Sequence, residues 1–293
     1  MKQVYYSMAL MLTLVLSVSV FNACKDNDNE PVTTISLDKE QTESLNIGDI
    51  VTATVTIVSA EVKTFTYTKV VDNENGIPVD VTANLTKDGN TYTYNFTYTL
   101  VENDDLHTLG FEFNVVDKNG LSKTASLLVQ TNLSTRSAFV KYDWHITAEQ
   151  WLGSSVLTEA DSLKVFRFYE DGTYEVDLSA QYAAPTHHFC YWVYKETPNN
   201  GDTLAIVRMI RKQASGDAGI DEYYDFRIVA ASESEMTMYW DLAVFGLLDI
   251  QRTFTSQPKG AFQPYGTAEM QTQVEAITAL HCDSVDPDLF VIE

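Results

Sequence analysis

Cysteine is scarce in this chain: Cys24, Cys190 and Cys282 are the only three among 293 residues. That is too few for the disulfide framework that holds small secreted folds together. An oxidising compartment would permit a bond between Cys190 and Cys282, and a buried free thiol at Cys190 is an equal alternative. Basic charge is also in short supply. Nineteen Lys and Arg stand against 41 Asp and Glu, for a formal net charge of −22. Nucleic-acid binding depends on Lys and Arg neutralising phosphates, so no nucleic-acid partner is expected, and the acidity reads as solubility. Beyond the first two dozen residues there is no apolar run of the roughly 20 residues a spanning helix needs. Catalytic signatures are missing too: no Gly-x-Ser-x-Gly elbow, no His-Glu-x-x-His pair and no glycine-rich phosphate loop. His187-His188-Phe189-Cys190 is the one His/Cys cluster. Zinc takes three or four ligands, so neither metal nor cofactor is expected. Carboxylates are abundant, yet no pair stands out as the acid and nucleophile of a glycosidase.

What is present begins with an address. Residues 1–23 read as a processing signal: Lys2 gives a positive start, and Ala9 to Val20 is apolar or small without charge, the length of a signal-peptide core. The stretch ends Phe21-Asn22-Ala23-Cys24. A small residue before a cysteine resembles the bacterial lipobox, which implies acylation of Cys24 as the new N-terminus. Phe21 and Asn22 depart from the usual Leu and small residue. Residues 24–31, containing Lys25-Asp26-Asn27-Asp28-Asn29-Glu30-Pro31, are hydrophilic and stay solvated. They resemble the acidic tether of Bacteroidota-type outer-membrane lipoproteins, which implies a lipid-anchored outer-membrane protein facing the cell surface. The calcium-binding linker of cadherins looks similar but joins two domains, whereas only the anchor precedes this stretch.

From 32 to 132 the apolar signal has period two, with turn residues at regular intervals. Ile50 to Ile57 alternates apolar residues with threonine; Tyr92, Tyr94, Phe96, Tyr98 and Leu100 share one strand face; Phe111, Phe113 and Val115 repeat the pattern. Seven or so short strands without a helical period predict an immunoglobulin-like β-sandwich. Residues 113–124, Phe-Asn-Val-Val-Asp-Lys-Asn-Gly-Leu-Ser-Lys-Thr, resemble the final hairpin of bacterial Ig-like and PKD-like modules. The aromatic row 92–98 fits a sandwich core better than a sugar platform. Asp72, Glu74 and Asn75 lack the full spacing of a calcium loop.

Composition changes at the polar link Ser134-Thr135-Arg136-Ser137, after which all four tryptophans appear. Residues 138–257 predict consecutive antiparallel hairpins. The clearest is Val165–Phe168 and Tyr174–Leu178 joined through Glu170-Asp171-Gly172-Thr173, since Asp-Gly between alternating strands is a strong hairpin signal. The order of Trp144, Phe166-Arg167-Phe168, Asp171-Gly172-Thr173-Tyr174, Trp192, Leu204-Ala205-Ile206 and Ile228 with Met236-Thr237-Met238 resembles the lipocalin-like domains of Bacteroidota surface lipoproteins. That implies a small antiparallel β-barrel, whose closure removes exposed strand edges. Residues 258–293 form a tail with a short C-terminal helix, predicted over Thr267–Leu280 with Met270, Val274 and Ile277 on one face.

The fold class is therefore all-β: an immunoglobulin-like β-sandwich followed by a lipocalin-like antiparallel β-barrel. Its function is read as non-catalytic binding of a glycan or small apolar ligand for uptake. The ligand-facing candidates are Phe166, Phe168, Tyr174 and Trp192, inward by strand alternation. Trp192 would share its face with Cys190 and His188, and either walls a pocket or plugs the barrel. The rival functions are a structural or assembly component acting through an outer-membrane protein partner, and an enzyme with an unrecognised carboxylate site.

Overall fold

The computed structural model describes residues 31–181, 187–199, 202–213, 220–241, 249–264, 267–270, 272 and 282–292. The signal segment, Cys24, nearly all of the tether, and Val274 and Ile277 of the tail lie outside the described residues, as do the side chains of His187 and His188.

Ten strands build the first unit: β1 (Thr34–Leu37), β2 (Gln41–Leu45), β3 (Ile50–Val58), β4 (Val62–Val71), β5 (Glu74–Asn75), β6 (Val79–Asp80), β7 (Thr86–Asp88), β8 (Thr91–Thr99), β9 (Leu109–Asp117) and β10 (Ser122–Thr131). One sheet runs β1-β3-β8-β7 and the other β2-β10-β9-β4-β5, with β6 also on β4. With β1, β3, β4, β7, β8, β9 and β10 as strands A to G, this is the ABED and GFC division of an immunoglobulin sandwich. Period two puts the alternate residues of both sheets into one core: Val51, Val55, Ile57, Phe65, Phe96, Phe111, Phe113 and Val115. The aromatic row belongs to that core, Phe96 meeting Phe111 at 4.6 Å between ring centres. Asp117 closes the last hairpin by accepting from the N–H groups of Asn119 and Leu121 and from the Thr33 hydroxyl at 2.8 Å, and Gly120 supplies the left-handed residue (φ +84°) that the turn requires.

The polar link does more than connect. The side chain of Ser134 accepts from Ser137 N–H and caps helix α1 (Thr135–Lys141). Its apolar residues Ala138, Phe139 and Val140 are buried. After it come β11 (Tyr142–Trp151), β12 (Ser154–Ser155), helix α2 (Glu159–Ser162), β13 (Val165–Phe168), β14 (Tyr174–Asp177), β15 (His187–Asn199), β16 (Asp202–Gln213), β17 (Ile220–Ala231), β18 (Glu235–Asp241) and β19 (Asp249–Pro258). Apart from the short β12 on β11, each strand pairs with the next in sequence from β11 to β14 and from β15 to β19, and β19 returns antiparallel to β11. Between β14 and β15 the joint is a single bridge, Thr173 to Tyr191, with Trp192 N–H donating to the Gly172 carbonyl at 2.8 Å. The result is a nearly closed eight-stranded antiparallel barrel. Arg167, between the inward Phe166 and Phe168, grips the buried Asp143 of β11 through two bonds of 2.7 Å.

Outside the barrel, a disulfide joins Cys190 to Cys282. The segment after it lies along β16: Arg208 donates to the carbonyls of Leu289 and Val291, and Lys212 to that of Ser284. In the tail, residues 268–270 are helical and Met270 is buried against the barrel core. No helix among the described residues is long and apolar enough to cross a membrane.

Candidate functional site: a cavity at one end of the barrel

The two ends of the barrel differ because different groups meet there. At the end where β11 starts, α1 inserts Phe139, which is fully buried, against the rings of Trp144, Phe168, Trp192 and Tyr194 at 5.0–6.4 Å. Trp144 Nε1 donates to the Phe139 carbonyl and Trp192 Nε1 to that of Tyr169, so both buried indoles are satisfied. Arg136 lies over the Trp192 ring. The sandwich adds Leu106, which packs on the same cluster. It also supplies buried Asp105, which accepts from Ser134 N–H and the Ser137 hydroxyl, both at 2.6 Å. This end is filled.

At the other end, where β11 finishes, a cavity of about 230 Å³ remains. Its wall is apolar below, with Ile146, Phe166, Val176, Leu178, Met209 and Phe226. Charged pairs occur among and beside its lining residues. Arg252 Nε donates to Glu149 at 2.8 Å, Lys164 pairs with Asp161 at 2.7 Å, and Arg211 pairs with Glu222 at 2.9 Å. Arg211 also lies over the Tyr224 ring and donates to its hydroxyl at 2.5 Å. Tyr174 is 2 % exposed. Burial pushes its ionisation far above the ordinary phenol range, against the opposing pull of the Arg211 charge, so the phenol keeps its proton. Its hydroxyl has no hydrogen-bond partner among the described residues, and the side chain lines the cavity.

Of the four candidate ligand-facing residues, Phe166 and Tyr174 line the cavity. Phe168 and Trp192 point inward as well but join the filled layer beneath Phe139, Phe168 packing 5.3 Å from Trp192. Trp192 and Cys190 do not share a face. A bulge between Phe189 and Tyr191 inserts one residue into β15. It sends Cys190 outward to a cluster with Ile210 and Val285 while Phe189 and Trp192 stay inside. The polar residues Glu149, Arg211, Tyr224 and Arg252 were not singled out from sequence. For Arg211 a signal was available, since it follows Ala205, Val207 and Met209 at period two and so falls on their inward face. Asp72 is occupied by His107 Nδ1 and Thr108 N–H rather than by a calcium loop. Among the described residues no cluster of three or more His, Cys, Asp or Glu is placed to hold a metal.

No family model matches the chain, and no curated protein matches it. Among solved structures it is similar to Spo0M, a sporulation control protein from Bacillus subtilis, at 11 % identity and a TM-score of 0.24, covering 86 % of this chain and 97 % of that one. It is also similar to a DUF4466 family protein from Parabacteroides merdae at 10 % identity and a TM-score of 0.25, covering 78 % of this chain and 100 % of that one. Likenesses at this level bear on neither the fold nor the function of this chain.

Proposed function

We propose that this chain is a lipid-anchored surface protein whose barrel binds a small ligand with an apolar part, without transforming it. The observation that carries the reading is the cavity of about 230 Å³ that the described residues enclose at one barrel end while the other end is filled. A concave site that joins apolar side chains with convergent polar groups is a usual form of a ligand pocket. Its wall combines apolar side chains such as Ile146, Phe166, Val176 and Met209 with charged groups, which suits a small ligand that has an apolar part and a polar one. Binding is favoured over hydrolysis because Glu149 and Asp161, the carboxylates on the wall, are each held by a cation, Arg252 and Lys164. The assembly role has less behind it, since exposed Ile77, Val101 and Val229 stand on separate loops and strands and exposed Trp151, Leu152 and Val156 are confined to one short hairpin. Export, acylation of Cys24 and display outside the outer membrane complete the proposal and rest on the N-terminal sequence.

The test is calorimetric titration of the folded protein with octanol. Saturable one-site binding is expected, and Val176→Phe, which fills the cavity from β14, should abolish it while far-ultraviolet circular dichroism stays unchanged. Absence of saturable binding to the wild type removes the pocket reading.

A further inference from the structure

We infer that the ligand of this cavity carries an acidic, two-oxygen head group, a carboxylate, seated on Tyr174 and Arg211 with its apolar part against Phe166, Val176 and Met209. The inference rests on the binding function proposed above and narrows it to a chemical class.

The argument starts from unused donors. Tyr174 is buried and lines the cavity with a hydroxyl that has no partner among the described residues. Arg211 spends Nε and Nη2 on Glu222 and the Tyr224 hydroxyl, and its Nη1 has no hydrogen bond among the described residues. The two side chains line the same cavity, that of Arg211 26 % exposed, and both groups offer protons rather than lone pairs. Arg211 has no lone pair to give, and a protonated phenol beside a cation does best as a donor. What satisfies two donors, one of them cationic, is an acceptor with two oxygens and negative charge.

Charge around the cavity points the same way. Glu149 and Asp161 are matched by Arg252 and Lys164. Arg211 is the remaining cation of the wall, and its partner Glu222 is not among the lining residues. In a chain of net charge −22, each carboxylate of the wall is matched by a cation, so among the described lining residues no unpaired carboxylate stands against an acidic ligand. The tyrosine that holds Arg211 is itself committed: the Tyr224 hydroxyl accepts from Arg211 and donates to Glu222. That arrangement fixes the guanidinium plane, so Nη1 is presented without the ligand having to order it.

The test compares octanoate, octanol and octylamine, three probes that share a chain and differ in head group, by calorimetric titration at neutral pH. Octanoate is expected to bind roughly 10-fold or more tightly than octanol, and octylamine more weakly than either. Tyr174→Phe should lower octanoate affinity by about 10-fold and leave octanol affinity within about 2-fold. As it deletes a hydroxyl without a partner, its melting temperature should not fall. Arg211→Met should remove the preference for octanoate. Should octanol and octanoate bind equally, with Tyr174→Phe affecting neither, the acidic head group is overturned while the pocket stands. Should none of the three bind, the pocket reading fails and takes this inference with it.

Discussion

Trp192 and Phe166 are both inward-facing aromatics of one barrel, and their neighbours give them different work. Trp192 is closed in by Phe139, Phe168 and the Arg136 guanidinium, with its indole N–H bonded to Tyr169. Truncating it leaves a hole among aromatic rings that α1 and two strands hold apart. Trp192→Ala is therefore expected to cost about 3–5 kcal/mol, measured by urea unfolding, without altering octanol affinity in the protein that remains folded. Phe166 reaches the cavity, its ring edge-on to that of Phe254. Period two was enough to place Phe166, Phe168, Tyr174 and Val176 on one inward face, because β13 and β14 pair without interruption. It failed one strand later. The bulge at Cys190 shifts the alternation by one residue, and a shift of one moves every later side chain to the other face. Nothing in Phe189-Cys190-Tyr191 marks the position of that bulge.

At the scale of elements, the short helix α1 decides the asymmetry of the barrel. Its four polar leading residues look like a linker because their work is done for the backbone and for the other domain: Ser134 caps, Ser137 bonds Asp105, and Arg136 pairs with Glu102 and bonds Asn103. The contacts tie the filled barrel end to the sandwich loop 102–106. Asp105 is the centre of this arrangement, buried with both carboxylate oxygens accepting at 2.6 Å. Asp105→Ala leaves the Ser134 N–H and the Ser137 hydroxyl without their acceptor, a loss of about 1–3 kcal/mol for groups of this kind. The expected readout is a lower urea midpoint for the barrel tryptophans, followed by fluorescence, with octanol binding retained at the far end. A helix of seven residues gives almost no periodic signal of its own, and it owes its stability to the packing of Phe139 rather than to propensity.

At the scale of the molecule, β11 runs from the filled end at Tyr142 to the open end at Trp151. The sandwich and α1 gather at the first of these, so the mouth lies at the opposite barrel end from the sandwich contacts. A surface protein tethered through its N-terminus before the sandwich would present that mouth outward. Anchoring itself is tested by Cys24→Ala: the variant should lose palmitate labelling and leave the membrane fraction, and continued labelling would remove the lipoprotein reading.

The sequence by itself determined the all-β class, the division into sandwich and barrel, and the inward face of the Val165–Leu178 hairpin. These follow from local rules, the alternation of side chains and turn residues such as Asp171-Gly172, which act between neighbours in the chain. Only the tertiary structure decided that one barrel end is filled while the described residues leave a cavity at the other, that Cys190 faces outward to Cys282, and that Arg211, Tyr224 and Tyr174 line one cavity. Each of these depends on groups far apart in sequence converging through strand register, on a plug supplied from outside the barrel strands, or on a bulge. Volume left unfilled inside a barrel is a property of the packed whole, and no single residue carries a sign of it.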